Sequence, residues 1–226
     1  MTDRSYHQVV RVLKFFTKPL YRIQITGAEN IPSGAAIFTP NHVSQLDPVI
    51  LGTTLPVGRP IRALAKESLF KAPVIGRVMR SMGHIPVYRN TVNASDALRA
   101  AADCLQNDAV VAVYPEGTIP VGDLRTLGVF KTGAARLSLM SGAPIIPIVQ
   151  WGAQEALPAR VKNNWRKLLR CYFKPAQVTV YVGEPLYPEE QAIGSYPSQA
   201  AVMELTVKLQ TAMSRMLEQL LVDRGQ

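Results

Sequence analysis

A histidine and an aspartate stand five residues apart in Asn41-His42-Val43-Ser44-Gln45-Leu46-Asp47-Pro48, directly after the apolar run Ala35 to Thr39. A carboxylate bonded to one imidazole nitrogen fixes the tautomer and steadies the imidazolium, leaving the other nitrogen as a general base. A five-residue step turns a continuous helix by about 140°, so the chain has to turn between His42 and Asp47 for the two to meet. Ser44 and Asp47 are good N-cap residues and Pro48 suits a first helical position, which predicts strand, loop and helix start in that order. Strand ends of open α/β sheets are where catalytic groups gather. No protein nucleophile stands out, since Ser44 suits capping better than attack, and the base would act on a substrate hydroxyl. A structural histidine beside a capping aspartate would give the same spacing.

Two further blocks carry polar groups just past short apolar runs. In Gly83-His84-Ile85-Pro86-Val87-Tyr88-Arg89, Arg89 is either a solvated surface residue or a bidentate grip on a phosphate. In Val113-Tyr114-Pro115-Glu116-Gly117-Thr118, the glycine lets backbone approach a ligand, and Glu116 either accepts hydrogen bonds from substrate hydroxyls, orients an arginine or is solvated in a plain turn. Phe130-Lys131-Thr132-Gly133-Ala134 then places a basic residue near a helix start, and Ala143 to Ile148 reads as a turn feeding a core strand. The chain has no G-x-S-x-G, P-loop, G-x-G-x-x-G or H-E-x-x-H, so serine hydrolase, NTPase, dinucleotide and zincin readings lose their usual support.

The elements that must position these groups alternate. Strands are predicted at Ala35 to Thr39, Ile61 to Ala65, His84 to Val87, Ala109 to Val113, Ile145 to Val149 and Gln177 to Val182. Helices are predicted at Pro48 to Thr54, Pro73 to Ser81, Thr91 to Gln106, Val129 to Ser141 and Ser198 to Val222, the last with Val202, Leu205, Leu209, Met213, Met216 and Leu220 at helical spacing. This alternation argues an α/β sheet flanked by helices. Residues 6 to 20 place Val9, Val10, Leu13, Phe16 and Leu20 on one helical stripe with Arg11, Lys14 and Lys18 elsewhere. Such a helix either packs as an ordinary first helix or lies in a lipid headgroup region.

With 226 residues and no linker, repeat or low-complexity run, one domain is expected: an amphipathic membrane-associating segment over 1–26 leads into the body over 27–226. The formal charge of +9 favours an anionic partner. A slightly positive mean hydropathy tilts that expectation toward a membrane surface and away from nucleic acid, for which no RNP-like, helix-turn-helix or zinc-finger signature is present. No stretch reaches the ~18 apolar residues of a membrane span, and the start lacks a secretory layout. Cys104 and Cys171 read as unpaired thiols in a reducing compartment. The expected place is the cytoplasmic face of the cell membrane, peripheral or monotopic. A second basic stretch, with Arg160, Lys162, Arg166, Lys167, Arg170 and Lys174 interleaved with Trp165, Leu168, Leu169, Tyr172 and Phe173, suits a lipid surface, the phosphates of a nucleotide-like donor or plain solvent.

Taken in order, the four blocks resemble the glycerolipid acyltransferases, specifically the 1-acylglycerol-3-phosphate (lysophosphatidate) acyltransferases. Asn41-His42 to Asp47 is similar to their NHxxxxD motif and Gly83 to Arg89 to G-x-I-x-x-x-R. Pro115 to Thr118 is similar to the start of P-E-G-T-R-S, and Ala143 to Ile148 to the proline-flanked fourth motif. Ala65-Lys66, Leu69-Phe70, Pro73 and Gly76 also sit as in the family, and the resemblance spans roughly residues 27 to 150.

The resemblance implies the family's α/β fold, His42 as general base, Asp47 as its orienting partner and Arg89 as a phosphate ligand. Glu116, Gly117 and Thr118 would line the acceptor site, with Lys66 beside them. The implied donor is acyl-CoA or acyl-carrier protein, the implied acceptor a lysophospholipid, and no metal or other cofactor is required. One departure stands out: Ile119 occupies the place of the arginine in P-E-G-T-R, so Arg125 or Lys131 is expected to replace it. The departure also keeps glycerol 3-phosphate, another lysophospholipid or a glycolipid headgroup open as acceptors. A basic binding-only domain and a hydrolase working on water are the remaining alternatives.

Overall fold

The computed structural model describes residues 3–88, 94–120, 122–158, 165–189 and 197–226. Among the described residues the chain runs α1 (Asp3–Thr17), β1 (Tyr21–Thr26), β2 (Ala36–Pro40), α2 (Asp47–Thr54), β3 (Ile61–Lys66), α3 (Glu67–Lys71), α4 (Pro73–Ser81), β4 (Ile85–Val87), α5 (Ala94–Leu105) and β5 (Val110–Ala112). It continues with α6 (Gly133–Ser141), β6 (Ile145–Trp151), α7 (Ala153–Ala156), α8 (Trp165–Phe173), β7 (Ala176–Val182) and α9 (Gln199–Asp223).

The strands form one sheet in the order β1-β7-β6-β2-β5-β3-β4. Five of them, β6, β2, β5, β3 and β4, are mutually parallel; β7 is antiparallel to β6, and β1 is parallel to β7. β2 (AIFTP) and β6 (IIPIVQW) are buried along their whole length, as continuous apolar runs in a sheet covered on both faces should be. β7 alternates buried Val178, Val180 and Val182 with exposed or half-exposed neighbours, the period of a strand with one wet face. The fold is therefore an α/β sheet flanked by helices.

The flanking helices follow their apolar stripes. α9 starts at Ser198, whose Oγ accepts the Ala201 N–H at 3.1 Å, and buries Val202, Leu205, Leu209, Met213, Leu217 and Leu220 against β6 and α6. Met216, partly buried, also packs against the core, and Leu217 joins the buried stripe. α1 buries Tyr6 and lies against α2 and α4, yet Phe16, expected on its inner stripe, faces outward.

Three differences from the sequence expectations have local causes. β1 was not expected as a strand, although Tyr21, Ile23 and Ile25 alternate with polar residues; it lies within 1–26 and pairs with β7, so the sheet draws on both sides of the 26/27 boundary. Helix α6 starts at Gly133, not Val129, because the Lys131 N–H donates to Pro115 O at 2.8 Å and holds that stretch extended. The helix expected from Thr91 is described from Ala94, residues 91–93 lying outside the described residues. Cys104 and Cys171 are both free thiols, and among the described residues no helix is long and apolar enough to cross a membrane.

Candidate active site

The carboxyl ends of the parallel strands bring the sequence blocks to one edge. β2 ends at Pro40 and hands over to Asn41, which is buried and prolongs the strand with its side chain. Its Oδ1 accepts the Gln150 N–H at 2.8 Å, its Nδ2 donates to Gln150 O at 3.1 Å, and Gln150 Nε2 donates to Asn41 O at 3.3 Å. His42 thus leaves the sheet from a fixed main chain.

The chain then folds back on itself. Asp47, the first residue of α2, is fully buried, and its Oδ2 receives three donors: His42 Nδ1 at 2.8 Å, the Val43 N–H at 2.7 Å and the Ser44 N–H at 2.8 Å. Burial pushes the Asp47 carboxyl above its usual range, and the bonds from His42, Ser44 and Val43 oppose that rise. Ser44 is no nucleophile here. It is buried, its hydroxyl donates to Leu157 O at 2.6 Å, and its Oγ accepts the Leu46 N–H at 3.1 Å.

With Nδ1–H donated to a carboxylate, the imidazole lone pair sits on Nε2, which has no partner among the described residues. The His42 side chain is 19% exposed. Its ring lies against Tyr114, the residue that follows strand β5 and Val113, with centroids 4.4 Å apart and planes tilted by 36°. The Tyr114 hydroxyl is buried without a partner among the described residues, and burial, with Asp47 nearby, pushes its pKa well up.

Glu116 grips main chain. Its Oε1 accepts the His42 N–H at 3.1 Å and its Oε2 accepts the Gly128 N–H at 2.9 Å. Burial raises the Glu116 carboxyl, and those two N–H groups act against the rise. Gly117 takes φ +68°, a left-handed conformation that glycine adopts freely. A Cβ there would stand 3.0 Å from both Cε and Nζ of Lys131, so the lysine side chain crosses directly over the turn. The Lys131 ammonium has no ion pair or hydrogen bond among the described residues.

The remaining site residues expected from sequence are spread along the same edge or away from it. Thr118 is exposed beside Gly117, and Lys66 is exposed at the end of β3, in register with Val87 of β4. Arg125 is exposed in the following loop, where its backbone N–H donates to Asp123 Oδ1 at 2.9 Å. Arg89 lies outside the described residues, as do Arg160 and Lys162. His84 turns out to be structural: its buried Nδ1 accepts the Ala63 N–H at 2.9 Å, tying β3 to the turn before β4.

Asn41, Gln150, Tyr114 and Gly128 were given no role from sequence. Asn41 and Tyr114 could have been suspected from their place beside His42 and Glu116. Gln150 and Gly128 are distant in sequence and offered no signal.

A protein-family model described as Acyltransferase matches residues 22–151, a stretch that contains His42, Asp47, Tyr114, Glu116 and Lys131. The chloroplastic 1-acyl-sn-glycerol-3-phosphate acyltransferase LPAT1 of Arabidopsis thaliana is 32% identical over 69% of this chain and 44% of its own length. A 1-acyl-sn-glycerol-3-phosphate acyltransferase of Borreliella burgdorferi is 34% identical over 56% of this chain and 50% of its own. The chain spans about half the length of the curated relatives it matches. The crystal structure of the 1-acyl-sn-glycerophosphate (LPA) acyltransferase PlsC from Thermotoga maritima superposes with a TM-score of 0.70 at 24% identity, covering 97% of this chain and 83% of that one, which establishes a shared fold.

Proposed function

Because the chain belongs to the acyltransferase family, we propose that it moves a fatty acyl group from a thioester, acyl-CoA or acyl-carrier protein, onto a hydroxyl of lysophosphatidate to give phosphatidate. The observation that carries this reading is the His42–Asp47 pair, held at 2.8 Å at the carboxyl edge of the sheet with Nε2 left open. An oriented imidazole without a neighbouring protein nucleophile suits activation of a substrate hydroxyl.

In the proposed step, Nε2 of His42 removes the acceptor hydroxyl proton while that oxygen attacks the thioester carbonyl. The carbonyl becomes an oxyanion, the C–S bond then breaks, and the leaving sulfur takes the proton back from Nε2. Asp47 holds the ring and steadies the imidazolium between these events. The N–H groups of His42, Val43 and Ser44 are taken by Glu116 and Asp47. Support for the oxyanion and for the acceptor phosphate therefore falls to other groups, for which Gly117, Thr118, Lys131, Lys66, Arg89 and Arg125 are the candidates.

Ile119 in place of the family arginine supports a second reading with the same chemistry on another acceptor, such as glycerol 3-phosphate, another lysophospholipid or a glycolipid headgroup. Both readings suit a protein held peripherally at the cytoplasmic face of the cell membrane, with the outer side of α1 toward the lipids.

The test mixes purified protein with palmitoyl-CoA and follows thiol release with lysophosphatidate, with glycerol 3-phosphate and without acceptor, beside His42→Ala. Release that requires lysophosphatidate and falls by about 10²–10⁴ in the variant supports the proposal. Release with another acceptor moves the substrate, release without any acceptor makes the protein a hydrolase, and full activity of a folded His42→Ala removes the mechanism.

A further inference from the structure

Two helices outside the matched residues 22–151 keep aromatic side chains in solvent. On α1, Phe15 is 76% and Phe16 60% exposed; on α8, Phe173 is 86% and Leu169 52% exposed. Single exposed apolar residues are ordinary, whereas a contiguous group marks a contact surface. These two groups are contiguous: the Tyr172 hydroxyl donates to Phe16 O at 3.2 Å, and α8 packs on the turn Lys18–Leu20 that ends α1.

Charge says what the surface fits. Residues 4–28 hold five Lys and Arg and residues 156–183 hold six, while neither stretch contains any of the chain's 16 Asp and Glu. Arg11 and Lys14 on α1 with Lys18 just past its end, and Arg170 on α8 with Lys174 just past its end, are exposed around the aromatic side chains. Two copies of such a basic surface would repel each other, but an anionic bilayer would attract it and accept its aromatic residues at headgroup depth.

Topology says which way the surface faces. α1 feeds β1 and α8 feeds β7, the two strands that run opposite to the other five. Both strands therefore begin at the edge where β2 and β5 end, which is the edge of His42. The chain leading toward α8 is also sewn to the catalytic loop, through Ser44 Oγ on Leu157 O and a bridge between Ser44 and Pro158.

We propose that α1 and α8 form one two-footed docking face for an anionic lipid bilayer, with α8 as important as α1, and that docking turns the His42 edge toward the lipid. The choice of a bilayer as occupant rests on the lipid-substrate reading above; the binding itself is measured without turnover.

The test floats the full chain with vesicles of phosphatidylcholine alone and of phosphatidylcholine mixed with phosphatidylglycerol. Wild type is expected to bind the anionic vesicles at least about tenfold more tightly, since each surface cation contributes about fivefold. Leu169→Ser/Phe173→Ser and Phe15→Ser/Phe16→Ser should each reduce that binding by about tenfold or more. Because all four side chains are exposed, urea melts should be unchanged, which separates docking from folding. Binding of the α8 variant equal to wild type overturns the proposal, as does equal binding to both vesicle types. So does a change from dimer to monomer in the variants with vesicle binding intact, which would make a second copy the occupant. Vesicle binding that holds while acyl transfer fails in the thiol assay leaves the docking face standing and removes only the proposed reaction.

Discussion

Glu116 holds His42 by the main chain and leaves the ring to Asp47: its Oε1 accepts the His42 backbone N–H at 3.1 Å while its Oε2 accepts the Gly128 N–H at 2.9 Å. The carboxylate joins the loop after β2 to the chain entering α6, so the turn that carries it is a brace for His42. Glu116→Ala would strand two N–H donors in a buried place, at about 1–3 kcal/mol each. Urea melts should show this loss, and kcat should fall together with stability. Glu116→Gln keeps one acceptor and should lie between. A variant with unchanged stability and a raised acceptor KM would instead make Glu116 a substrate ligand.

Tyr114 separates ring from hydroxyl. Its ring backs the His42 imidazole, and its hydroxyl is buried without a partner among the described residues. Tyr114→Phe should retain activity and gain about 1 kcal/mol, or roughly 2–4 °C in Tm, by removing an unsatisfied polar group. Tyr114→Ala should lower kcat by about tenfold because the imidazole loses the face it leans on. Loss of activity in Tyr114→Phe would give the hydroxyl a part in the reaction.

On the proposed reading Lys131, more than Arg125, takes the part of the arginine absent at Ile119: both are exposed, but only the Lys131 side chain crosses Gly117. Lys131→Ala should raise the lysophosphatidate KM by about tenfold, the worth of one charge-assisted contact, with kcat little changed. Arg125→Ala should leave KM alone. Adding Ile119→Arg to Lys131→Ala should restore part of the loss; the opposite ranking of the two single variants would transfer the role to Arg125.

His84 makes stability depend on pH. Burial, with Arg62 nearby, lowers its pKa from 6.5 to about 4. The unfolded ring takes its proton near pH 6.5 and the folded ring only near 4, so stability is intact above 6.5 and is lost as pH falls toward 4. Between pH 7 and pH 5 this one group should cost about 2 kcal/mol. Asp47 and Glu116, raised by burial, act in the opposite sense. The quantity to measure is therefore the difference in urea melts between wild type and His84→Gln, and a difference independent of pH would mean that His84 titrates alike in the folded and unfolded protein.

Much of this was readable from sequence where signals were local. The run Ala35 to Thr39, the capping residues and the His42–Asp47 spacing lie within fifteen residues, and a turn that brings the pair together needs only local chain. Strand β1 was missed because its alternation Tyr21, Ile23, Ile25 is short and follows a helix directly. The start of α6 was misplaced because a tertiary bond, Lys131 N–H to Pro115 O, overrides helical pattern there. Glu116 read as a possible substrate ligand because nothing near it in sequence announces that the His42 and Gly128 N–H groups will meet it. The reciprocal bonds of Asn41 and Gln150 join residues 109 apart, a separation that spacing arguments do not reach.

The register of β1 on β7, Tyr21 with Ala176 through Thr26 with Tyr181, sets an order of events during synthesis. About 150 residues separate the two strands, so at ~5–20 residues per second β1 waits about 8 to 30 s for its partner. For nearly all of that interval α1 has left the ribosome with Val12, Phe15 and Phe16 uncovered and with its neighbour α8 still to come. A nearby bilayer would then meet α1 before the sheet closes, so lipid and ribosome would act on the same nascent segment, and the finished domain would assemble with one foot already planted.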